Sequence, residues 1–216
     1  FKCFVCGTGG NVFTFVQKIE NISFLEAVCK VAELIHYPLH MDTSQFQPKV
    51  DQNQPLYDCV QSYIRFLTYE LQSENGESVK RYLSQRKING YAPESSRSVK
   101  YLKAKGFNEQ ILTDTGLIRT HDLDTYAVFD NRLMIPIHDE NGNPVGFTAR
   151  RLNEDKDVAK YINTSETKIY HKGHLIFNYH RAKEFAKKNK RCILVEGAMD
   201  VIAFEKADIH ESIACL

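Results

Sequence analysis

Residues 132–152 read RLMIPIHDENGNPVGFTARRL. Leu133 to Ile137 is a compact apolar strand, DENGNP is a strong turn signal, and Val145 to Leu152 reads as a returning strand. The stretch therefore predicts a β-hairpin, and it marks where the texture of the chain changes. Upstream of Arg132 the apolar residues recur at helical spacing, and downstream short strands take over.

The helical half opens with an apolar-rich segment from Phe13 to Ile19. Ser23 and Glu26 then form S-x-x-E, the capping box in which each side chain satisfies an orphan amide. Phe24, Leu25, Val28, Val31, Ala32 and Ile35 follow on one face, and Pro38 is expected to stop the helix. Residues 40–54 are polar and read as a linker. Leu56, Val60, Tyr63, Ile64, Leu67 and Leu71 mark a long amphipathic helix. Shorter helices are expected over Glu77–Arg86, Val99–Lys105 and Asn108–Leu112. After the hairpin come a helix at Tyr179–Asn189, a strand at Cys192–Val195, a helix at Met199–Ala207 and a strand at Ile213–Leu216. Strand, helix and strand in that space predict the start of a parallel α/β unit. The fold class is thus mixed α+β, mostly helical in its first half.

Composition narrows the function classes. With 216 residues, 43% of them hydrophobic, the chain can bury a core. Its 28 basic and 27 acidic residues nearly cancel, but Asn141 to Lys190 holds 11 Lys or Arg against 5 Asp or Glu. A run that basic is either a solvated face or a track for a polyanion. Six cysteines in this length do not make a disulfide scaffold. Cys29, Cys59, Cys192 and Cys215 each sit singly inside apolar patterns and are expected to be buried thiols. There is no signal peptide and no apolar stretch approaching about 18 residues, so export and a membrane span are not indicated, and a cytoplasmic setting fits.

The stretch CILVEGAMDVIA carries chemistry. Its four apolar residues should form a central strand with Glu196 at the C-terminal tip, where open α/β sheets bind ligands. Gly197 permits the tight turn, and Asp200 follows in the first helical turn. Two carboxylates so placed can hold Mg2+, which takes hard oxygen ligands. The alternative is that Asp200 only complements the helix N-terminus and Glu196 is solvated.

Between hairpin and strand lies TARRLNEDKDVAKYINTSETKIYHKG. Arg150, Arg151, Lys160, Lys168 and Lys172 interleave there with Tyr161, Tyr170 and Asn163. Cations neutralise phosphates and tyrosine faces stack bases. The alternative is a surface loop with ordinary lysines. A helix-free stretch this polar needs the protein body or a ligand to hold it.

At the other end, Cys3 and Cys6 form C-x2-C, one arm of a zinc site. His36 and His40 do not complete it. The gap from Cys6 to His36 is 29 residues, about twice the usual loop, and Pro38 keeps the two histidines off a shared helical face. His36 is expected to close the Ser23 helix, where an imidazole suits the C-terminal dipole.

Several of these stretches together resemble one family, the bacterial DnaG-type primases. FKCFVCGTGGNVFTFV is similar to the second half of that family's zinc ribbon. RLMIPIHDENGNPVGFTARRL, AKYINTSET and YHKG are similar to its RNA-polymerase core, and LVEGAMDVIA to the first acidic motif of the TOPRIM module, all in the family's order. The resemblance implies a truncated zinc ribbon over 1–39, a linker over 40–54, the N-terminal subdomain of the polymerase core over 55–190 and the start of TOPRIM over 191–216. It makes Glu196 the acidic catalytic residue and Asp200 its partner near a catalytic Mg2+ or Mn2+. Arg132, Arg150, Lys160, Tyr161, Asn163 and Lys172 would line the groove for template and nucleotide. Cys3 and Cys6 would be two ligands of a structural Zn2+. The implied reaction is template-directed synthesis of RNA primers on single-stranded DNA from nucleoside triphosphates. Its product is an RNA–DNA hybrid, and the partners are the replicative helicase and single-strand-binding protein.

The sequence also departs from the family. The upstream Cys and His of the zinc site and the later TOPRIM aspartates are not in it. Ala198 stands where Tyr is usual, Thr148-Ala149 where Gly-Gly is usual, and QRKINGYAP looks short. The chain therefore reads as an internal piece of a primase, loosely metallated at Cys3 and Cys6 and inactive in priming by itself. A non-catalytic nucleic-acid-binding module, a phage-type primase-helicase or another TOPRIM enzyme are the competing readings.

Overall fold

The computed structural model describes residues 1–2, 9–20, 22–39, 51–76, 79–80, 91–92, 95–121, 124–152 and 159–216. The chain divides into two units, Phe1–Asp51 and Gln52–Leu216.

In the first unit, Val12–Glu20 (α1) and Phe24–Leu34 (α2) form a helical pair. The capping box is present: the Ser23 side chain accepts from the Glu26 N–H at 3.3 Å, and the Glu26 carboxylate accepts from the Ser23 N–H at 2.7 Å. Phe13 meets Phe24 edge-on at 5.9 Å, and Ala27, Val31 and Ala32 are buried. The helix ends before Pro38 acts. His36 adopts φ +52°, the His36 N–H donates to Glu33 O at 3.1 Å and the Tyr37 N–H to Ala32 O at 2.8 Å. That is a Schellman closure with histidine in the left-handed position usually given to glycine. Cys3, Cys6 and His40 lie outside the described residues.

The second unit is organised by Gln54–Gln72 (α3). Leu56, Val60, Tyr63, Leu67 and Leu71 are buried as their spacing predicts, and Ile64 is half-buried. The expected helix over Glu77–Arg86 falls mostly outside the described residues. Ser95–Ala104 (α4) and Glu109–Asp114 (α5) follow, the latter capped by Asn108 Oδ1, which accepts from the Ile111 N–H at 2.9 Å.

Tyr91–Ala92 (β1), Arg132–His138 (β4), Pro144–Arg151 (β5) and Tyr161–Asn163 (β6) make one antiparallel sheet in the order β1-β4-β5-β6. The hairpin β4–β5 turns where DENGNP stands. There Asp139 Oδ1 accepts from the N–H groups of Asn141 and Asn143 at 2.9 and 2.8 Å, and Gly142 takes φ +91°. Tyr63 of α3 packs edge-on against Phe147 at 5.4 Å, so α3 covers the sheet face that carries Phe147. Ile118–His121 (β2) and Asp124–Ala127 (β3) form a separate two-stranded hairpin that the hydrophobic pattern did not announce.

Ile176–Phe177 (β7), Ile193–Val195 (β8) and Ser212–Cys215 (β9) form a second sheet in the order β7-β9-β8. Tyr179–Asn189 (α6) precedes β8, and Ala198–Lys206 (α7) crosses from β8 to its parallel neighbour β9. The expected βαβ unit is thus present, with one correction. The central strand is β9, because β7 pairs with its other side. Among the described residues β8 is an edge, and Leu194 is 65% exposed. The same topology corrects the cysteines. Cys59 is buried and Cys29 half-buried, but Cys192, beside the edge strand, and Cys215, at the end of β9, are exposed.

Two predictions follow from packing. Gly146 lies in β5 where an added Cβ would stand 2.8 Å from Thr164 Oγ1 and 2.8 Å from Tyr170 Cδ2. Tyr170 is fully buried, so Gly146→Ala should cost about 1–3 kcal/mol by overpacking, read by urea denaturation. The second concerns His138, at the end of β4, and His180, in α6, whose rings stack at 4.5 Å. Burial lowers both, His180 to about 4, with Arg181, Lys183 and each other adding to the effect on His180 and Asp139 opposing it. The folded state thus favours neutral His180. Its contribution is present above the unfolded value of 6.5 and is lost as pH falls from 6.5 to about 4. A Tm that declines across that window, with a flatter profile in His180→Phe, is the expected outcome.

Candidate active site

The residues singled out at the tip of β8 and in β6 come together. Glu196 at the tip of β8, Gly197 at the N-cap of α7 and Asp200 in its first turn line one cavity of about 360 Å3 with Thr148 of β5 and Tyr161 and Asn163 of β6. That volume suits a small ligand. Cys215, at the end of β9, is also in the lining.

Strand register explains the β-sheet wall. Thr148 pairs with Asn163 and Arg150 with Tyr161, and paired residues in an antiparallel sheet share a face. These four side chains therefore belong to the face opposite Phe147 and α3. The Arg150 guanidinium lies over the Tyr161 ring, 5.8 Å from its centroid, a cation–π contact that presents charge and an aromatic surface together. Tyr161 is 41% exposed, and Lys160 beside it is exposed.

Arg132 is placed differently. It pairs with Arg151 in the sheet, on the other face, and is buried. Its guanidinium donates to the carbonyls of Ala149 at 3.5 Å and Ala159 at 3.1 Å, tying β5 to the approach to β6. Burial, with Arg151 nearby, lowers its pKa from the usual arginine value. Its place is in the frame of the groove, not among the side chains that line the cavity.

The polar stretch NTSETKIYHKG is held by the protein itself. The buried Thr164 Oγ1 accepts from the Phe147 N–H at 2.8 Å, and the Thr164 N–H donates to Phe147 O at 2.9 Å. Thr167 Oγ1 accepts from the Tyr170 N–H at 2.9 Å. The Glu166 carboxylate accepts from the Lys172 N–H at 2.9 Å and meets His171 Nδ1 at 3.2 Å. Lys168 is engaged with Asp114 at 2.8 Å, so this lysine fastens the stretch to α5. Lys172 stands exposed in the short 3-10 turn Lys172–His174, outside the cavity lining.

On the acidic wall, the Asp200 carboxylate accepts from the Gly197 N–H at 3.2 Å, so Asp200 does serve the helix N-terminus. It also lines the cavity with Glu196, and both are exposed. Among the described residues no third carboxylate, His or Cys joins them in a metal-ligating group. Two hard carboxylates fit Mg2+, which keeps several waters and is usually completed by substrate phosphates. Thr148 and Cys215 are cavity residues that reasoning from motifs missed. Both enter through strand pairing, Thr148 opposite Asn163 and Cys215 at the end of β9, which residue spacing does not reveal.

The cavity thus joins two exposed carboxylates to the neutral polar and aromatic side chains of Thr148, Asn163 and Tyr161, with the Arg150 guanidinium over the Tyr161 ring. Comparison with known proteins identifies the family. The family described as the N-terminal domain of the DNA primase catalytic core matches residues 66–183, and the CHC2 zinc finger family matches residues 1–48. A DNA primase of Mycolicibacterium smegmatis is 34% identical over 228 aligned residues, covering 99% of this chain and 36% of the relative. The zinc-binding and RNA polymerase domains of the Aquifex aeolicus primase superpose with a TM-score of 0.70 at 30% identity, covering 100% of this chain and 54% of that one. The RNA polymerase domain of Mycobacterium tuberculosis primase DnaG, in complex with a double-stranded DNA oligomer with a 6-nucleotide overhang, gives 0.70 at 31% identity over 78% of this chain and 56% of that one. The chain belongs to the bacterial DnaG-type DNA primase family. It spans a little over a third of the length of such curated relatives, 36% for the Mycolicibacterium protein.

The clamp on β5 is testable. Thr164→Val removes the acceptor for a buried N–H and should cost about 1–3 kcal/mol in denaturant-induced unfolding.

Proposed function

We propose that this chain forms part of a primase centre that makes RNA primers on single-stranded DNA by nucleotidyl transfer. The observation that carries the reading is the cavity in which Glu196 and Asp200 face Thr148, Tyr161 and Asn163. Glu196 and Asp200 would hold Mg2+ or Mn2+. When bound, that ion polarises phosphate oxygens and lowers the pKa of an attacking hydroxyl. Asn163 and Thr148 supply neutral hydrogen-bonding groups to orient a nucleotide, and Tyr161 offers a ring on which a base or ribose can rest. Arg150, Lys160 and Lys172 neutralise phosphates along the approach. Arg132 acts through the backbone it ties together, as a positioning residue. Cys3 and Cys6 would be two ligands of the family's structural zinc. Single-stranded template, nucleoside triphosphates and the RNA–DNA hybrid are the implied ligands, with the replicative helicase and single-strand-binding protein as the family's usual partners.

Titration calorimetry of this chain with a nucleoside triphosphate tests the metal assignment. Mg2+-dependent binding should weaken about tenfold or more in Glu196→Gln, a loss of about 1.4 kcal/mol. It should also weaken in Asp200→Asn, which keeps an acceptor for the Gly197 N–H. In a polypeptide that carries this chain at the length of its relatives, template-dependent ribonucleotide incorporation should fall by about 100-fold or more in Glu196→Gln. Nucleotide binding indifferent to both Mg2+ and Glu196→Gln would overturn the assignment.

A further inference from the structure

On the other side of the sheet, α3 and α4 enclose a second concavity of about 510 Å3. Because α3 packs on the Phe147 face, and Arg150, Tyr161 and Asn163 share the opposite face, the sheet separates this concavity from the cavity at Glu196. The two helices line it with the same pattern. α3 reads Arg65-Phe-Leu-Thr-Tyr69 and α4 reads Arg97-Ser-Val-Lys-Tyr101. Residues four apart are neighbours on one helix face, so each helix brings an arginine and a tyrosine to the groove, and α4 adds Lys100.

The charge of this groove is one-sided at its surface. Glu70 is the single carboxylate in the lining, but it is only 1% exposed and is bound by Arg97 at 2.8 Å, so it forms the floor. Arg65 and Lys100 are exposed above it. Tyr69 is 65% exposed, an unusual setting for a large ring. Tyr101 is half-buried, tilted against Phe66 at 5.0 Å, with Lys105 Nζ 5.6 Å from its centroid. Cations interleaved with open tyrosine faces complement an anionic strand whose bases are free to stack. An acidic peptide would satisfy the cations but would leave the Tyr69 ring without a planar partner.

We propose that the α3–α4 groove is a second contact face for single-stranded nucleic acid, with Arg65 and Lys100 on phosphates and Tyr69 stacking on a base. The inference does not depend on the catalytic reading of Glu196 and Asp200. Fluorescence anisotropy of a labelled oligothymidylate with this chain, across a salt series, tests it. Arg65→Glu/Lys100→Glu should weaken binding about tenfold at low salt and reduce the slope of log K against log salt by about 1–2. Tyr69→Ala should weaken binding roughly fivefold or more with the slope unchanged. All three side chains are exposed or half-exposed, and an unaltered Tm checks the fold. Ultraviolet cross-linking of a bromouracil-substituted strand to the unsubstituted chain should map to Tyr69 or Tyr101, which keeps the test independent of any variant. Unchanged affinity and slope, or cross-links confined to Tyr161, would overturn the proposal. So would displacement of the strand by polyglutamate as effectively as by a second oligonucleotide.

Discussion

The bond between Thr164 and Phe147 holds the rest of the site in place. β6 is only Tyr161–Asn163, too short and too polar to be held by side-chain burial. Its hold on β5 is extended by Thr164, whose hydroxyl and N–H both engage the Phe147 backbone. Gly146 leaves the space that Thr164 and Tyr170 fill. Phe147 in turn sits under Tyr63 of α3. Helix α3, strand β5 and the cavity wall are therefore coupled through one backbone position.

What this clamp delivers is a rigid presentation of polar side chains. The segment NTSETKIYHKG is anchored in the core by Ile169 and Tyr170, and side chain to backbone bonds from Thr164, Thr167 and Glu166 order the polar residues around them. The backbone of this segment is thus ordered by the protein itself, and a preordered segment lowers the entropic cost of binding a partner. The acidic wall is built by a different device. A parallel βαβ unit exposes its strand tips, and a carboxylate at the tip of β8 and another in the first turn of α7 meet there by topology.

The elements that carry a strong local period were legible. The Ser23–Glu26 cap, the apolar stripe of α3, the β4–β5 hairpin, α6 and the β8–α7–β9 unit all stand where residue spacing put them. The failures have physical causes. β6 and β7 are two or three residues long and owe their extended shape to partners far along the chain. Among the described residues β2 and β3 pair only with each other, and their alternation was hidden by polar residues on both sides. Cys192, Cys215 and Leu194 have apolar neighbours in sequence, yet strand order decides their exposure, and strand order is a non-local property. Strand pairing likewise decides the face that Arg132 takes: it pairs with Arg151 and lies on the face opposite Arg150. At the candidate site, Glu196, Asp200, Tyr161 and Asn163 were named from the chain alone, and their convergence on one cavity is what the structure added.

The central claim is that Glu196 at the tip of β8, Asp200 of α7 and the polar face of β5–β6 form a single ligand site competent for a divalent ion. The direct measurement is paramagnetic broadening of backbone amide signals in the isotopically labelled chain on addition of Mn2+. The account predicts loss of signal at Gly197 and Ala198 and, across the cavity, at Thr148 and Asn163, with Mg2+ competing. Broadening centred on Glu166 and His171, or confined to α7 without Asn163, would contradict it.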